Sequence, residues 1–197
     1  MELIACNFEF YPQGSKVTEF LRPLLDGCVE IRFPYSIGER NSNQFTFDFD
    51  SKLKANLLAS GGQLTQLTLP KAILKEYDFS FSFRGKVVVV EVEKANREKI
   101  LYDFLKFHMY LRHGADFGLL FLPKNYPHSS GEWKLFDWGK IRYQQSRDFG
   151  YGLPAILDRI LIVGYEQRTL DGAVLNRQIR ASLIANRSEM PKTDGSL

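Results

Sequence analysis

Residues 87–123 constrain this chain more than any other stretch. Val87-Val88-Val89-Val90-Glu91-Val92-Glu93 is a β-branched run of the kind buried inside a sheet. Asn96 can cap a helix running to His113, where Gly114 would end it. Phe117–Leu122 is a second apolar run, closed by Pro123. Two such strands joined through a helix form a crossover unit, which pairs them in parallel. Upstream, Tyr77–Phe83 alternates aromatic and small polar residues, and Arg84-Gly85-Lys86 turns it back antiparallel onto Val87–Glu93. Parallel and antiparallel neighbours of one central strand predict an α/β fold with a central mixed β-sheet flanked by helices.

The flanking pattern completes one domain. Residues 1–11 alternate as a strand. Val17, Phe20, Leu21, Leu24, Leu25 and Cys28 recur at helical spacing after Ser15, a suitable cap. A short strand, Val29–Phe33, precedes a polar loop at Ser36–Gln44, and a helix over 49–59 stops at Gly61-Gly62. Residues 64–69 and Ile156–Tyr165 read as strands, residues 124–153 as a long polar and aromatic connection, and 167–185 as a helix. A single domain over 1–185 is predicted, with a polar, disordered tail over 186–197. Apolar residues at 44% and charged residues at 25% exclude a disordered chain, and a net charge of +3 neither requires nor forbids a nucleic-acid partner. No run approaches the ~18 apolar residues of a membrane span. The start lacks the basic and apolar segments of a signal peptide, so a cytoplasmic protein with free Cys6 and Cys28 is expected. No CxxC or HExxH occurs, which argues against a zinc site.

Alternation places Glu91 and Glu93 on one face of their strand, roughly 7 Å apart. Two carboxylates at the edge of a core repel and lose hydration, and a hard divalent cation such as Mg²⁺ would relieve both costs. Asp78 returns beside Glu91 through the hairpin. Taken alone, the residues leave two readings open: a cation site, or two solvated carboxylates at a strand end. Lys94 alternates to the opposite face from Glu93.

The order Asp78, hairpin, Glu91-Val92-Glu93 resembles the PD-(D/E)XK nuclease pattern, with Glu at its final Lys position. The stretch VVVVEVEKANREKILYDFLKFHMYLRHGADFGLLFLPK resembles the BglII- and BstYI-like type II restriction endonucleases. Tyr102-Asp103, His108-Met109 and Leu122-Pro123 carry the likeness beyond the glutamates. It extends more weakly to Arg147, Gly150, Gly152-Leu153-Pro154, Ile160–Gly164 and Phe45–Gly62. Two departures stand out: Lys94-Ala95 replaces the Phe-Gly that follows in these relatives, and the Asp78-to-Glu91 spacing is longer.

The resemblance implies a restriction-endonuclease-like fold and Mg²⁺-dependent hydrolysis of double-stranded DNA at a short palindrome, with Mn²⁺ able to substitute. It assigns Asp78, Glu91 and Glu93 as metal ligands and catalytic residues. It implies a homodimer, because two strands related by a two-fold axis need two sites, and a cognate DNA methyltransferase for the same sequence. It raises Arg147, Ser146, Gln145 and Gln144, in what reads as a loop, as DNA-binding residues, with Asn43 and Arg40 in the earlier polar loop. Lys71, Lys75, Arg84 and Lys86 are candidates for phosphate contacts. Two alternatives remain: a DNA-binding homologue with a decayed site, and a non-enzymatic interaction module. Helix 96–113 carries two apolar stripes, Ile100-Phe104-Phe107-Leu111 and Leu101-Leu105-Met109, so one of them is expected either inside the core or against a second subunit.

Overall fold

The computed structural model describes residues 1–28, 30–37, 43–44, 46–70, 77–128, 130–150 and 154–188, of which 36, 37, 43, 44, 46, 47, 154 and 186–188 are described as backbone only. The chain is α/β: a seven-stranded mixed sheet with helices on both faces. The elements in chain order are β1 (Glu2–Tyr11), α1 (Lys16–Leu25), β2 (Ile31–Pro34), β3 (Ser36–Ile37), β4 (Asn43–Gln44), α2 (Thr46–Ala59), β5 (Gln63–Leu64), β6 (Phe79–Phe83), β7 (Lys86–Val92), α3 (Lys99–Arg112), β8 (Phe117–Pro123), β9 (Tyr126–His128), β10 (Gly131–Trp133), α4 (Leu135–Asp148), α5 (Pro154–Leu157), β11 (Ile160–Thr169) and α6 (Arg177–Ser188).

The sheet order is β2-β1-β11-β8-β7-β6-β5. The centre, β11-β8-β7, is parallel, and antiparallel pairs flank it on both sides. The predicted hairpin and crossover are both present. Arg84 (φ 47°) and Gly85 (φ 75°) make the turn from β6 to β7, a left-handed pair that matches the twist of a hairpin. Helix α3 carries the chain from β7 to β8, and α4 from β8 towards β11. Each is seated by one phenylalanine over one glycine. A Cβ on Gly118 would stand 2.5 Å from Phe107, and one on Gly164 would stand 2.5 Å from Phe136. Only glycine lets these rings lie so close to the strands. The cores on the two faces are separate. Val88, Val90 and Val92 pack with α1 and α2, while Val89 packs with α3 and α4. Pairing of β1 with β11 ties residues 2–169 into one sheet.

Several boundaries differ from the sequence expectation. Helix α3 begins at Lys99, and Asn96 caps it from outside, its Oδ1 accepting from Glu98 N (3.0 Å) and Lys99 N (3.4 Å). The stripe Ile100-Phe104-Phe107-Leu111 is buried inside the chain, so none of these residues is free to face a partner. Leu105, on the other stripe, is 45% exposed. Tyr143–Asp148 is not a loop but the end of α4, and Ile156 sits in the short α5, because the last strand starts at Ile160 and continues to Thr169. Strand β5 spans only Gln63–Leu64, and α6 begins ten residues later than the spacing suggests, its backbone running on to Ser188. The tail from 189 lies outside the described residues. Cys6 and Cys28 are free thiols, and no helix among the described residues is long and apolar enough to cross a membrane.

Candidate active site

Three carboxylates meet where β7 ends. The β6–β7 ladder pairs Phe79 with Val90 and carries on one residue further. Asp78 N donates to Val90 O (3.2 Å), and Asp78 Oδ2 accepts from Val92 N at 2.6 Å. The Asp78 carboxylate thus stands in for a backbone acceptor and is held beside the strand end, where the hairpin was expected to bring it.

Glu91 and Glu93 share the face turned to α3, as alternation requires. Neither is a solvated strand-end residue: Glu91 is 4% exposed and Glu93 5%. Glu91 Oε1 is 2.5 Å from Lys106 Nζ and accepts from Tyr110 Oη at 3.2 Å. Glu93 Oε1 accepts from the backbone N–H groups of Ala95 and Asn96, both at 2.9 Å, which fixes the turn into α3. Its Oε2 is in an ion pair with Lys99 Nζ at 3.1 Å. Lys94 points to the other face, as expected, and meets Asp50 of α2 at 2.6 Å.

Asp103, one turn before Lys106 on α3, lies 3.9 Å from its Nζ and is 2% exposed. Five carboxylates and three lysines therefore crowd the end of β7. Burial raises the proton affinities of Glu91, Asp103 and Asp50. It pushes Glu91 up to about 7 against the pull of Lys106. It pushes Asp103 up to about 8, with the charge of Glu91 adding to the shift and Lys106 opposing it. It pushes Asp50 up to about 6 despite Lys94. Carboxyls held near neutrality by desolvation in a cleft mark functional sites more often than chance. An open groove of about 490 Å³ adjoins Asp78, lined also by Lys54, Thr65, Tyr77 and Ser80.

The donor set suits a hard cation. Asp78 and Glu91 each spend one oxygen, and Asp78 Oδ1 and Glu91 Oε2 accept no hydrogen bond among the described residues. As placed, however, no group of three or more His, Cys, Asp or Glu side chains among the described residues is arranged to hold a metal ion. Lys106 and Lys99 instead hold Glu91 and Glu93 in ion pairs with α3.

The expected base-reading residues do not join this site as a loop. Ser146 is fully buried on the inner face of α4, out of reach of a base edge. Gln144 donates to Asp148 (2.7 Å), Gln145 accepts from Arg142 (3.0 Å), and Arg147 pairs with Asp158 (3.4 Å). Asn43 lies on β4 and is described as backbone only; Arg40, Lys71 and Lys75 lie outside the described residues. Arg84 and Lys86 sit at the opposite end of the hairpin, roughly 17 Å from Glu91 by strand rise, and Lys86 pairs with Asp116 there. The sequence analysis missed Asp103, Lys106 and Tyr110. Their signal was available as three polar positions at i, i+3 and i+7 on the inward face of an otherwise apolar helix. Asp50 left no comparable trace.

No protein-family model, curated protein or solved structure matches this chain.

Proposed function

We propose that this chain is a Mg²⁺-dependent deoxyribonuclease of the type II restriction class, hydrolysing phosphodiester bonds in double-stranded DNA at a short palindrome. One observation carries this reading: Glu91 and Glu93 are desolvated on one face at the end of a central strand, with Asp78 hydrogen-bonded to the residue between them. Asp78, Glu91 and Glu93 would hold the ion. Mg²⁺ bound there would supply a water of lowered pKa and neutralise charge on the phosphate.

The protein's own groups prepare the site for that cation. Burial makes ionised carboxylates costly, so the cluster gains by taking up positive charge. Tyr110 and Lys106 fix the Glu91 carboxylate through Oε1 and leave its other oxygen unspent. Glu93 braces the turn at Ala95-Asn96, which sets the start of α3 and hence Lys106 relative to the strand. Cutting both strands of a palindrome calls for two copies related by a two-fold axis. The outer stripe of α3, with Leu105 exposed, is the surface of that helix left for a second copy.

A second reading, a DNA-binding protein that no longer cuts, is favoured by one contact: Lys106 already occupies Glu91 as an internal cation. Cleavage and binding assays on Glu91→Ala separate the two. The nuclease reading expects wild-type cleavage of plasmid DNA in Mg²⁺, loss of cleavage in EDTA, and a Glu91→Ala variant that binds DNA without cutting it. Wild-type protein that binds but never cuts favours the second reading, and undiminished cleavage by Glu91→Ala removes Glu91 from the site.

A further inference from the structure

Near the turn that follows the carboxylates, five side chains from four segments form a chain of ring and cation–π contacts. The His128 ring of β9 lies on Trp133 of β10, with centroids 3.9 Å apart and planes 17° from parallel. The Arg97 guanidinium, in the turn before α3, stands 5.9 Å from the Trp133 ring centre and 5.1 Å from that of Trp138 in α4. Arg142, one turn further along α4, lies 5.8 Å from the Trp138 ring centre. The order is therefore ring, ring, guanidinium, ring, guanidinium.

We propose that this stack is a DNA-backbone contact surface, in which Arg97 engages a phosphate next to the one at the carboxylates. The inference rests on the nuclease reading only for its choice of DNA as ligand. Position supports it first. Arg97 belongs to the turn whose N–H groups at Ala95 and Asn96 are held by Glu93, and Lys99, paired with Glu93, follows two residues later. A strand lying at Glu93 therefore passes Arg97.

Geometry supports it second. A guanidinium laid flat on an indole keeps its N–H edge outward, the edge that grips a phosphate. Stacking also restrains a long side chain before binding, which lowers the ordering cost of the contact. Arg97 remains 46% exposed even so, more than a purely structural clasp needs. The two tryptophans are the only ones in the chain, and neither belongs to the fully buried core. Each packs one side against that core and gives ring surface to Arg97.

Charge supports it third. Arg97 and Arg142 meet here on an exposed carboxylate, Glu98, and Lys99 follows it in the chain. Glu98 takes Arg97 Nε and Arg142 Nη2, each at 3.2 Å, and is itself 66% exposed. That carboxylate is a stand-in anion at the surface, which a phosphate can replace. Arg142 also carries a buried Nε with no hydrogen-bond partner among the described residues.

Both tryptophans being in the stack makes the test direct. Wild-type protein in EDTA is titrated with sheared bacteriophage DNA, with tryptophan emission and the salt dependence of binding followed together. The proposal expects emission to change with saturation at the same DNA concentration as an independent binding assay. It also expects Arg97→Ala to weaken binding roughly ten-fold and to lower the log–log salt slope by about 1. Arg97→Glu should weaken it further, and both variants should keep the wild-type melting temperature because the side chain is exposed. Wild-type binding with unaltered emission, and with the same affinity and slope in Arg97→Ala, overturns the stack as a contact surface while leaving the nuclease reading intact. Binding through Arg97 without cleavage in Mg²⁺ does the reverse. Failure of the wild-type protein to bind DNA at all overturns both.

Discussion

Lys106→Met removes the cation paired with Glu91 while keeping a side chain of similar length, so the change is electrostatic and leaves little cavity. Lys106, Glu91 and Asp103 are all below 10% exposed. Breaking a buried pair by removing one partner costs about 3–5 kcal/mol, because the survivor is left charged and dry. For a domain of this size that is on the order of 10 °C in melting temperature. The cost must depend on pH. Burial raises Glu91 to about 7 and Asp103 to about 8, and Lys106 is a force holding both down. Without it both carboxyls climb further, so the variant retains protons that the wild type has released. Near pH 5.5 the two carboxyls are mostly protonated in either protein, and the loss should be under about 1 kcal/mol. Near pH 9 it should reach the full value. Urea unfolding of both proteins at the two pH values measures this. An equal loss at both, or none at pH 9, would refute the placement of Lys106 against ionised Glu91.

The same linkage acts on the wild-type chain. Carboxyls raised in the folded state contribute stability that is complete below their unfolded pKa, near 4, and lost as pH rises through about 7 to 8. Melting temperature should therefore fall from pH 5 to pH 9, and Asp103→Asn should flatten that fall by removing one of the two raised carboxyls. Gly164→Ala should cost about 1–3 kcal/mol or more by overpacking, since its Cβ would meet Phe136 at 2.5 Å; wild-type stability would contradict the seating of α4 on the sheet. If the outer stripe of α3 joins two copies, light scattering should give twice the chain mass, and Leu105→Glu should give a monomer that cuts poorly. A dimer unchanged by Leu105→Glu would place the interface elsewhere.

Strands fully buried in the sheet were the easiest to read. Val87–Val90 and Phe117–Pro123 carry no polar side chain, and a glycine turn separates β6 from β7, so hairpin and crossover followed directly. Helix α4 was harder. Lys134–Asp148 mixes Trp, Tyr, Gln, Arg and Gly, and its inward face uses Leu135, Phe136, Gly139, Tyr143 and Ser146. A glycine needed where the helix closes on Leu122 and Ile162, and a buried serine further along the helix, break the apolar period that would reveal it. The site divides in the same way. Alternation put Glu91 and Glu93 on one face, and the hairpin returned Asp78. Strand geometry says nothing about what packs above, so Asp103, Lys106 and Tyr110 became partners only through the tertiary docking of α3. Of the two readings open for the glutamates, the solvated strand end fails for that reason. The Arg97 stack joins four segments, and no local pattern in the chain links them.

Incubating the protein with unmethylated bacteriophage DNA in Mg²⁺, and resolving the products by size, tests the central claim most directly. Discrete, reproducible fragments are expected, absent with EDTA and absent for Glu91→Gln, with Ca²⁺ supporting binding but not cleavage. DNA left intact by active-folded protein in both Mg²⁺ and Mn²⁺, or fragments that persist in Glu91→Gln, would contradict a metal-dependent nuclease built on Asp78, Glu91 and Glu93.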